Sequence, residues 1–406
     1  MSDVPNFVYQ SNRAEFISKL KRMMFWYFKE QSLISIPIVF IHITVWNVFS
    51  RFFQKEKMLK NKIGFTALNY HGNSKAVFNW MRKNTNYECF WIARSRKAYN
   101  DVKKDNGKVV YAYSFNGLNY MKDMKVLVIS DSVLSMLFPN KKPKIVQLWH
   151  GVGFKGRSSF DECITLWCEA TDFTKNKRVE NFNFPNDKII PTGLARLDTL
   201  YNCLNDPDFN KIYRKKLNLP LNKKILLYAP TWEIGLFPWG EEYSSFRKLC
   251  KFCQDNNIAM VFRPHPLIRY NKRKMKQIIK NHKDIFIFDV KKLPNVMELM
   301  SISDFLITDV SSIGIDFLVT GKPIIYLDVL NEYFYQAGAG MMVPLEYMVG
   351  EKAKNEEELY NALKFVLEKG NRYKEKHKEI LKLIHGDVKG DNSENVAKVI
   401  ISLLDH

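Results

Sequence analysis

Two short stretches of this sequence place reactive side chains directly after apolar, strand-like runs. The stretch QLWHGVGFKG presents His150 and Lys155 beside glycines, and FRPHP presents Arg263 and His265 from a backbone stiffened by prolines. A neutral imidazole can accept a proton from a hydroxyl nucleophile, and cationic side chains hold anionic oxygens. The alternative is that His265 is a structural histidine held by backbone groups.

Two further stretches, ILLYAPTW and LITDVSSIGIDFL, end apolar runs with hydroxyl-bearing and acidic residues. The candidates are Thr231, Thr308, Asp309, Ser311 and Ser312. The second stretch has the pattern of a strand, a polar turn and a helix, and free amides at a helix start together with serine hydroxyls form a phosphate cradle. The alternative is that the serines only cap the helix.

The elements that carry these residues form two similar series. Short apolar runs such as KVLVISDSV and KIVQLWHG alternate with helix-like stretches, and a second series includes IAMVFRPHP and DFLITDVSS. Such alternation predicts βα units and parallel sheets. We expect an α/β protein with two Rossmann-like lobes, whose ligands bind beyond the carboxyl ends of the strands.

The length of 406 residues predicts two domains and an appendage. We place a helical segment at 1–61, an acceptor lobe at 62–210 and a donor lobe with the final helix at 211–406. The net charge of +20 suits anionic partners such as acidic lipid or phosphorylated substrates. Nucleic acid is not an expected partner, because the chain shows neither a stacking motif nor a basic recognition helix.

The N-terminal appendage contains an uncharged stretch of 20 residues at 31–50, with basic residues on both sides. That length can just span a bilayer, but Pro37, His42 and Asn47 dilute its apolar character. An in-plane helix on an anionic inner leaflet fits equally well, and a helical hairpin that caps the first lobe is the third possibility. We therefore expect a protein associated with the cytoplasmic face of the membrane.

Cysteine spacing and loop motifs predict neither a metal site nor a bound cofactor. The single C-x-x-C, at Cys250 and Cys253, has no second pair and lies in a helix-like stretch, which disfavours zinc and fits a reducing compartment. No Walker-type loop or H-E-x-x-H occurs. Phosphate recognition would therefore depend on helix starts, hydroxyls, histidine and arginine.

The order and spacing of five motifs resemble those of the CDP-glycerol glycerophosphotransferases, the teichoic-acid glycerol-phosphate primases and polymerases. The motifs are QLWHGVGFKG, PTGLARLD, ILLYAPTW, FRPHP and ISDFLITDVSSIGIDFLVTGKPIIY. The resemblance covers the chain from Lys62 to the C-terminus. It implies a GT-B-type pair of lobes with a facing cleft, peripheral membrane attachment and a CDP-activated polyol phosphate as donor.

The resemblance also implies roles for the candidate residues. His150 is expected to be the general base, and His265 is expected on the donor phosphates. The turn that contains Thr308, Asp309, Ser311 and Ser312 is expected to contact the same phosphates. The implied reaction transfers a polyol phosphate to a lipid-linked glycan or growing polymer and releases CMP.

Two positions depart from the family pattern and keep alternatives open. Val310 stands where the family usually has Tyr, and Glu233 stands where it usually has Arg. CDP-ribitol or another activated donor is therefore an alternative to CDP-glycerol. The other readings are a GT-B glycosyltransferase that uses a nucleotide-sugar for a capsule or cell-wall glycan, and a non-catalytic protein that binds membranes or polyanions.

Overall fold

The protein is described from a computed structural model that covers most of the chain after residue 59. The described ranges are 60–112, 114–121, 123–131, 143–154, 160–232, 234–268, 270–290, 292–329 and 341–405. The predictions for the segment 31–50, for Lys155 and for Glu233 lie outside these residues. Among the helices that these ranges contain, none is both long enough and apolar enough to span a bilayer.

The first lobe is built on a sheet of seven parallel strands in the order β3-β2-β1-β4-β5-β6-β7. The strands are β1 (Lys60–Thr66), β2 (Glu88–Ala93), β3 (Val109–Tyr111), β4 (Met124–Ile129), β5 (Lys144–Gln147), β6 (Leu166–Glu169) and β7 (Ile189–Pro191). Most residues of the central strands are buried, as expected for a parallel sheet that is covered on both faces.

The second lobe repeats this design with six parallel strands in the order β10-β9-β8-β11-β12-β13. The strands are β8 (Lys224–Tyr228), β9 (Ile258–Phe262), β10 (Ile285–Ile287), β11 (Phe305–Thr308), β12 (Ile324–Leu327) and β13 (Glu351–Ala353). In both sheets the first three strands are added toward one edge and the later strands toward the other edge, which is the doubly wound Rossmann order. The prediction of two Rossmann-like lobes is therefore confirmed.

Helices connect the strands and cover the sheets. Those of the first part are α1 (Gly72–Asn84), α2 (Arg96–Lys104), α3 (Phe115–Met121), α4 (Asp172–Phe182), α5 (Arg196–Asn205) and α6 (Phe209–Lys216). Those of the second part are α7 (Glu242–Asp255), α8 (Lys272–Asn281), α9 (Met297–Ile302), α10 (Ser312–Phe317), α11 (Glu356–Lys369), α12 (Lys374–His385) and α13 (Asn392–Asp405). Short 3-10 turns occupy Asn186–Lys188, Leu318–Thr320 and Leu345–Tyr347.

Helix α7 shows how the sequence pattern specifies the packing. Its buried side chains include Phe246, Leu249, Cys250 and Cys253, which recur at helical spacing and face the second sheet. Both cysteines are therefore core residues with free thiols, as the helix-like reading of CKFC predicted.

The last helix returns to the first lobe. Val396, Ala397 and Ile400 of α13 belong to the same buried cluster as Ile63 and Phe78. The chain thus crosses between the lobes twice, once after β7 and once before α13. Residues of both lobes consequently form a shared core at the hinge, and this core fixes how the strand ends face each other.

Candidate functional site

The candidate residues lie at or beside the points where the two sheets reverse their strand order. Thr231 follows β8 and Asp309 follows β11, and these two strands are neighbours at the reversal point of the second sheet. In the first lobe, His150 follows β5, which lies beside β4. Ligands of doubly wound folds bind at such crevices, because the loops there diverge to opposite faces of the sheet.

Asp309 ties the two strand ends of the second lobe together. Its Oδ1 accepts a hydrogen bond of 3.0 Å from the backbone amide of Thr231, and its Oδ2 accepts one from the Thr231 hydroxyl. The hydroxyl of Thr308 donates to the carbonyl of Ala229 at 2.7 Å. Asp309 and Thr308 are fully buried, so both contribute to the frame of the site. Their predicted contacts with donor phosphates stay predictions.

Arg263 is buried at the end of β9, and its guanidinium holds the loop that follows β10. Nη1 donates to the carbonyl of Phe288 at 2.8 Å and also to that of Leu293, and Nη2 donates to the carbonyl of Pro294 at 3.3 Å. Burial lowers the pKa of Arg263 to about 10, which still leaves the group charged. Its direct contact with a phosphate stays a prediction.

His265 is half-buried in the turn after β9. Its Nδ1 accepts a hydrogen bond of 3.2 Å from the backbone amide of Leu267. In the neutral ring this bond assigns the proton to Nε2, because one ring nitrogen accepts while the other carries hydrogen. The backbone therefore orients the ring with Nε2 as the donor atom, which suits an anionic partner.

The serine turn begins helix α10 and touches the loop of His150. The hydroxyl of Ser311 caps the helix by accepting from the amide of Ile313 at 3.5 Å, as the capping alternative predicted. A Cβ placed on Gly153 would lie 3.2 Å from the Cβ of Ser312. The glycine thus lets the loop of the first lobe lie directly against the serine turn of the second lobe.

His150 lies at the end of this loop, with its side chain exposed to the cleft. The preceding residue, Trp149, has a left-handed backbone with φ of 51° and packs its ring 4.3 Å from the imidazole, centroid to centroid. The Trp149 amide donates to Oε1 of Gln147 at 2.9 Å. The tight turn at Trp149 therefore directs the imidazole into the cleft.

Protein groups around the ring keep His150 neutral. Desolvation by the walls of the cleft, and then the charges of Arg196 and Arg178, lower the pKa of His150 to about 4. His71 and His265 act in the same direction, so these histidines are grouped around the same cleft. Water reaches the exposed edge of the ring, and the neutral form is the one that can accept a proton.

His71 is a site residue that the sequence analysis missed. It lies between β1 and α1, and β1 is one of the two strands at which the first sheet reverses its strand order. Burial, followed by the charges of Arg263 and Arg196, lowers the pKa of His71 to about 4. The signal was present, because His71 begins a His-Gly pair after an apolar run, as His150 does.

Arg196 and Asp316 were also missed, although both lie within recognised motifs. Nη2 of Arg196 lies 2.5 Å from Oδ2 of Asp316, and Nη1 donates to the backbone carbonyl of His150. Arg196 begins helix α5 and Asp316 lies inside helix α10, so neither directly follows an apolar, strand-like run. Their contact depends on how helices α5 and α10 meet, and no local pattern encodes that.

The acidic, cysteine and histidine side chains of the described part of the chain form no cluster of three or more with the arrangement of a metal site. The donor set at the cleft consists instead of imidazoles, hydroxyls and backbone amides. These groups are suited to proton transfer and to phosphate oxygens.

Curated proteins of teichoic acid synthesis are similar to this chain. The teichoic acid glycerol-phosphate transferase of Staphylococcus aureus is 25% identical over 350 residues, which cover 77% of this chain and 86% of that protein. The teichoic acid poly(glycerol phosphate) polymerase of Bacillus spizizenii is 26% identical over 398 residues, covering 85% and 97% respectively. A poly(ribitol-phosphate) polymerase of the same organism is 23% identical over 370 residues, covering 84% and 56%.

Solved structures share the fold. The wall teichoic acid polymerase TagF matches with a TM-score of 0.71 and 19% identity, covering 96% of this chain and 99% of that chain. A UDP-GlcNAc 2-epimerase from Neisseria meningitidis matches with a TM-score of 0.55 and 12% identity, covering 84% and 99%. At these identities the structures support the fold alone, and they confirm the GT-B-like pair of lobes.

The sequence profile of one family extends over nearly the whole chain. Residues 48–402 match the profile described as CDP-glycerol:poly(glycerophosphate) glycerophosphotransferase. This match confirms the resemblance seen in the five motifs and favours the transferase over the alternative of a non-catalytic binding protein. The chain therefore belongs to the CDP-glycerol:poly(glycerophosphate) glycerophosphotransferase family and is a transferase of teichoic acid synthesis.

Proposed function

We propose that this transferase moves glycerol phosphate from CDP-glycerol to a lipid-linked teichoic-acid-type acceptor, with His150 as the general base. The observation that carries the proposal is the contact between Gly153 and Ser312, which brings the His150 loop against the serine turn. A base from one lobe and a phosphate cradle from the other can then act on one reacting phosphorus.

The reaction forms one bond and breaks one bond. An acceptor hydroxyl loses its proton to His150, and its oxygen attacks the β-phosphorus of the donor. The bond between that phosphorus and the oxygen bridging to the α-phosphorus breaks, and CMP leaves with the bridging oxygen. The new phosphodiester links glycerol phosphate to the acceptor.

The second lobe would stabilise the charge that develops on the transferred phosphate. His265 presents Nε2–H, because Nδ1 accepts from Leu267. Ser311 and Ser312 add hydroxyls at the start of α10, and Thr231 is held in place by Asp309. Donors fixed in advance are effective here, because they need no reorganisation when the charge appears.

Donor binding would bring the basicity of His150 closer to what catalysis needs. In the free protein the surrounding cations and burial hold its pKa at about 4. The diphosphate of CDP-glycerol adds negative charge to the cleft, and a neighbouring anion raises the pKa of an imidazole. The base would therefore become stronger when the substrate is bound.

The acceptor and the membrane surface complete the proposal. We place the enzyme at the cytoplasmic face of the membrane, where a net charge of +20 would attract anionic lipid. Helix α8 would add to this attraction, because it carries exposed basic side chains at Lys272, Arg273, Lys274, Lys276 and Lys280. Flotation of the full chain with phosphatidylglycerol vesicles tests this placement. Binding that is absent, or equal with phosphatidylcholine vesicles, would contradict it.

The proposed reaction is tested by CMP release. Purified enzyme is supplied with a lipid-linked acceptor and either CDP-glycerol or CDP-ribitol, in parallel with His150→Ala and His265→Ala. His282→Ala is a matched control, because His282 lies at the far end of α8 and contacts Gln254 instead of the cleft. We expect CMP from CDP-glycerol, a loss of at least 100-fold in the first two variants, and normal activity in the control.

The remaining outcomes separate the alternatives. Release of CMP only from CDP-ribitol would keep the mechanism and replace the donor. Release of a nucleoside diphosphate from a nucleotide-sugar would support glycosyl transfer instead. Full activity in His150→Ala would remove His150 from the role of base.

A further inference from the structure

Arg196 contacts both halves of the proposed site. Its Nη1 donates to the backbone carbonyl of His150, and its Nη2 lies 2.5 Å from Oδ2 of Asp316. His150 belongs to the first lobe, whereas Asp316 belongs to α10, the helix that starts with the serine turn. One guanidinium therefore connects the loop of the base to the helix of the phosphate cradle.

We propose that Arg196 is a positioning residue that locks the His150 loop against helix α10 and so fixes the distance between the base and the transferred phosphate. The proposal rests on the role of His150 as base. A rigid, planar guanidinium suits this task, because it can bind a carbonyl and a carboxylate at the same time.

The glycine after His150 makes room for this contact. Gly151 has φ of 148°, and a Cβ built on it would collide with the guanidinium of Arg196. The loop can therefore approach Arg196 only because position 151 has no side chain. Gly151 and Gly153 therefore have separate tasks, since Gly153 provides the approach to Ser312.

Asn73 supports the same arrangement from the first lobe. Its Oδ1 accepts from the backbone amide of Arg196 at 2.8 Å. Its Nδ2 donates to the carbonyl of Trp149 at 2.9 Å and to that of Leu148 at 3.2 Å. Asn73 is buried, so these bonds are shielded from water and hold both the loop and the start of α5.

Asp316 gives the guanidinium a fixed anchor in the second lobe. It is buried, and its other oxygen, Oδ1, faces Nε2 of His385 at 3.6 Å. Removing one partner of a buried ion pair leaves the other charge uncompensated, so the pair resists separation. The anchor also lies on a helix whose first residue, Ser312, touches the His150 loop.

The proposal predicts a particular kinetic signature for Arg196→Gln. We expect kcat to fall about 100-fold, because a shift of about 1 Å in a catalytic group has an effect of that size. KM for CDP-glycerol should change less than about threefold, since a positioning role leaves ground-state binding of the donor largely intact. Arg372→Gln is the matched control, because that exposed arginine pairs only with Glu351 among the described carboxylates.

A merely structural arginine is distinguished by chemical rescue and by pH. Guanidinium ion should raise the kcat of Arg196→Ala at least tenfold, and it should not change the activity of His150→Ala. Loss of the positive charge should also move the acidic limb of kcat/KM to higher pH, because Arg196 lowers the pKa of His150 together with Arg178, His71 and His265. Arg196→Lys retains the charge, so its acidic limb should stay in place while kcat still falls.

The two proposals fail in different ways. If His150→Ala is inactive but Arg196→Gln and Arg196→Lys both keep wild-type kcat, the positioning role is wrong and the base survives. If kcat falls without any rescue or shift in the acidic limb, the positioning role is again wrong. In the double variant Arg196→Gln/His150→Ala, losses that multiply would show independent roles and would overturn the inference, whereas non-additive losses support it. Should Arg196→Gln fail to fold, Arg196→Lys replaces it in the kcat comparison and in the double variant with His150→Ala.

Discussion

The carboxylate of Asp309 joins two neighbouring strand ends, because it accepts hydrogen bonds from both the amide and the hydroxyl of Thr231. The hydrogen bond from the Thr231 amide is 3.0 Å long, and both residues are buried. The strands involved, β8 and β11, are the pair at which the second sheet reverses its order. Asp309 thus ties together the two strand ends beside which the donor phosphates are proposed to bind.

Replacement of Asp309 by Ala should destabilise the second lobe. It leaves a buried amide and a buried hydroxyl without their acceptor, which costs about 1–3 kcal/mol for each unsatisfied group. For a domain of this size each lost kcal/mol lowers the melting temperature by about 2–4 °C. The measurement is thermal unfolding, and Asp255→Ala on the surface of α7 should leave the melting temperature nearly unchanged. Equal stability of both variants would contradict the bracing role.

Replacement of His265 by Asn should keep the hydrogen bond from the Leu267 amide and remove the proposed hydrogen bond from Nε2 to the transferred phosphate. The amide oxygen of Asn can still accept from Leu267, but no donor remains at the position of Nε2. We expect a folded enzyme whose kcat falls about 100–1000-fold, the usual effect of losing one fixed donor to developing charge. Steady-state CMP release measures the effect, and a stable Asn variant with wild-type kcat would refute it.

The pH dependence of the reaction should differ between free and substrate-bound enzyme. A base must be neutral, so activity falls as the pH decreases through its pKa. The acidic limb of kcat/KM reports the free enzyme, in which the pKa of His150 is about 4. The limb of kcat reports the complex and should lie at higher pH, because the donor's negative charge favours the protonated ring. Identical limbs for the two parameters would argue against this coupling.

The buried His385 should make the protein less stable in acid. Burial, and next the charge of Arg196, lower the pKa of His385 to about 3, whereas the unfolded chain has an ordinary imidazole. Between about pH 6.5 and pH 3 the unfolded state binds more protons, so stability decreases as the pH falls through this window. The melting temperature of His385→Gln should therefore decrease less steeply from pH 7 to pH 5 than that of the wild type. Parallel slopes would show that other groups control the effect.

The sequence by itself determined the type of fold and much of the site. Alternating apolar runs and helix-like stretches predicted the parallel sheets, because strand and helix periodicities are local properties of the chain. Residues that directly follow a strand, such as His150, His265 and Ser311, were found in the same way. The carboxyl ends of parallel strands lie on one edge of a sheet, so His265 and Ser311 share an edge of the second sheet, whereas the position of His150 relative to that edge depends on how the lobes pack.

Only the tertiary structure decided what the charged groups contact. The contact of Arg263 with phosphate stays a prediction, but only the structure shows that its Nη1 and Nη2 hold backbone carbonyls of a loop about 30 residues later in the chain. His71 and Arg196 join the site from positions that are far from His150 in sequence. Such contacts depend on how the lobes and helices pack, and a guanidinium or imidazole takes whichever partner that packing brings within reach. No short pattern in the chain specifies that choice.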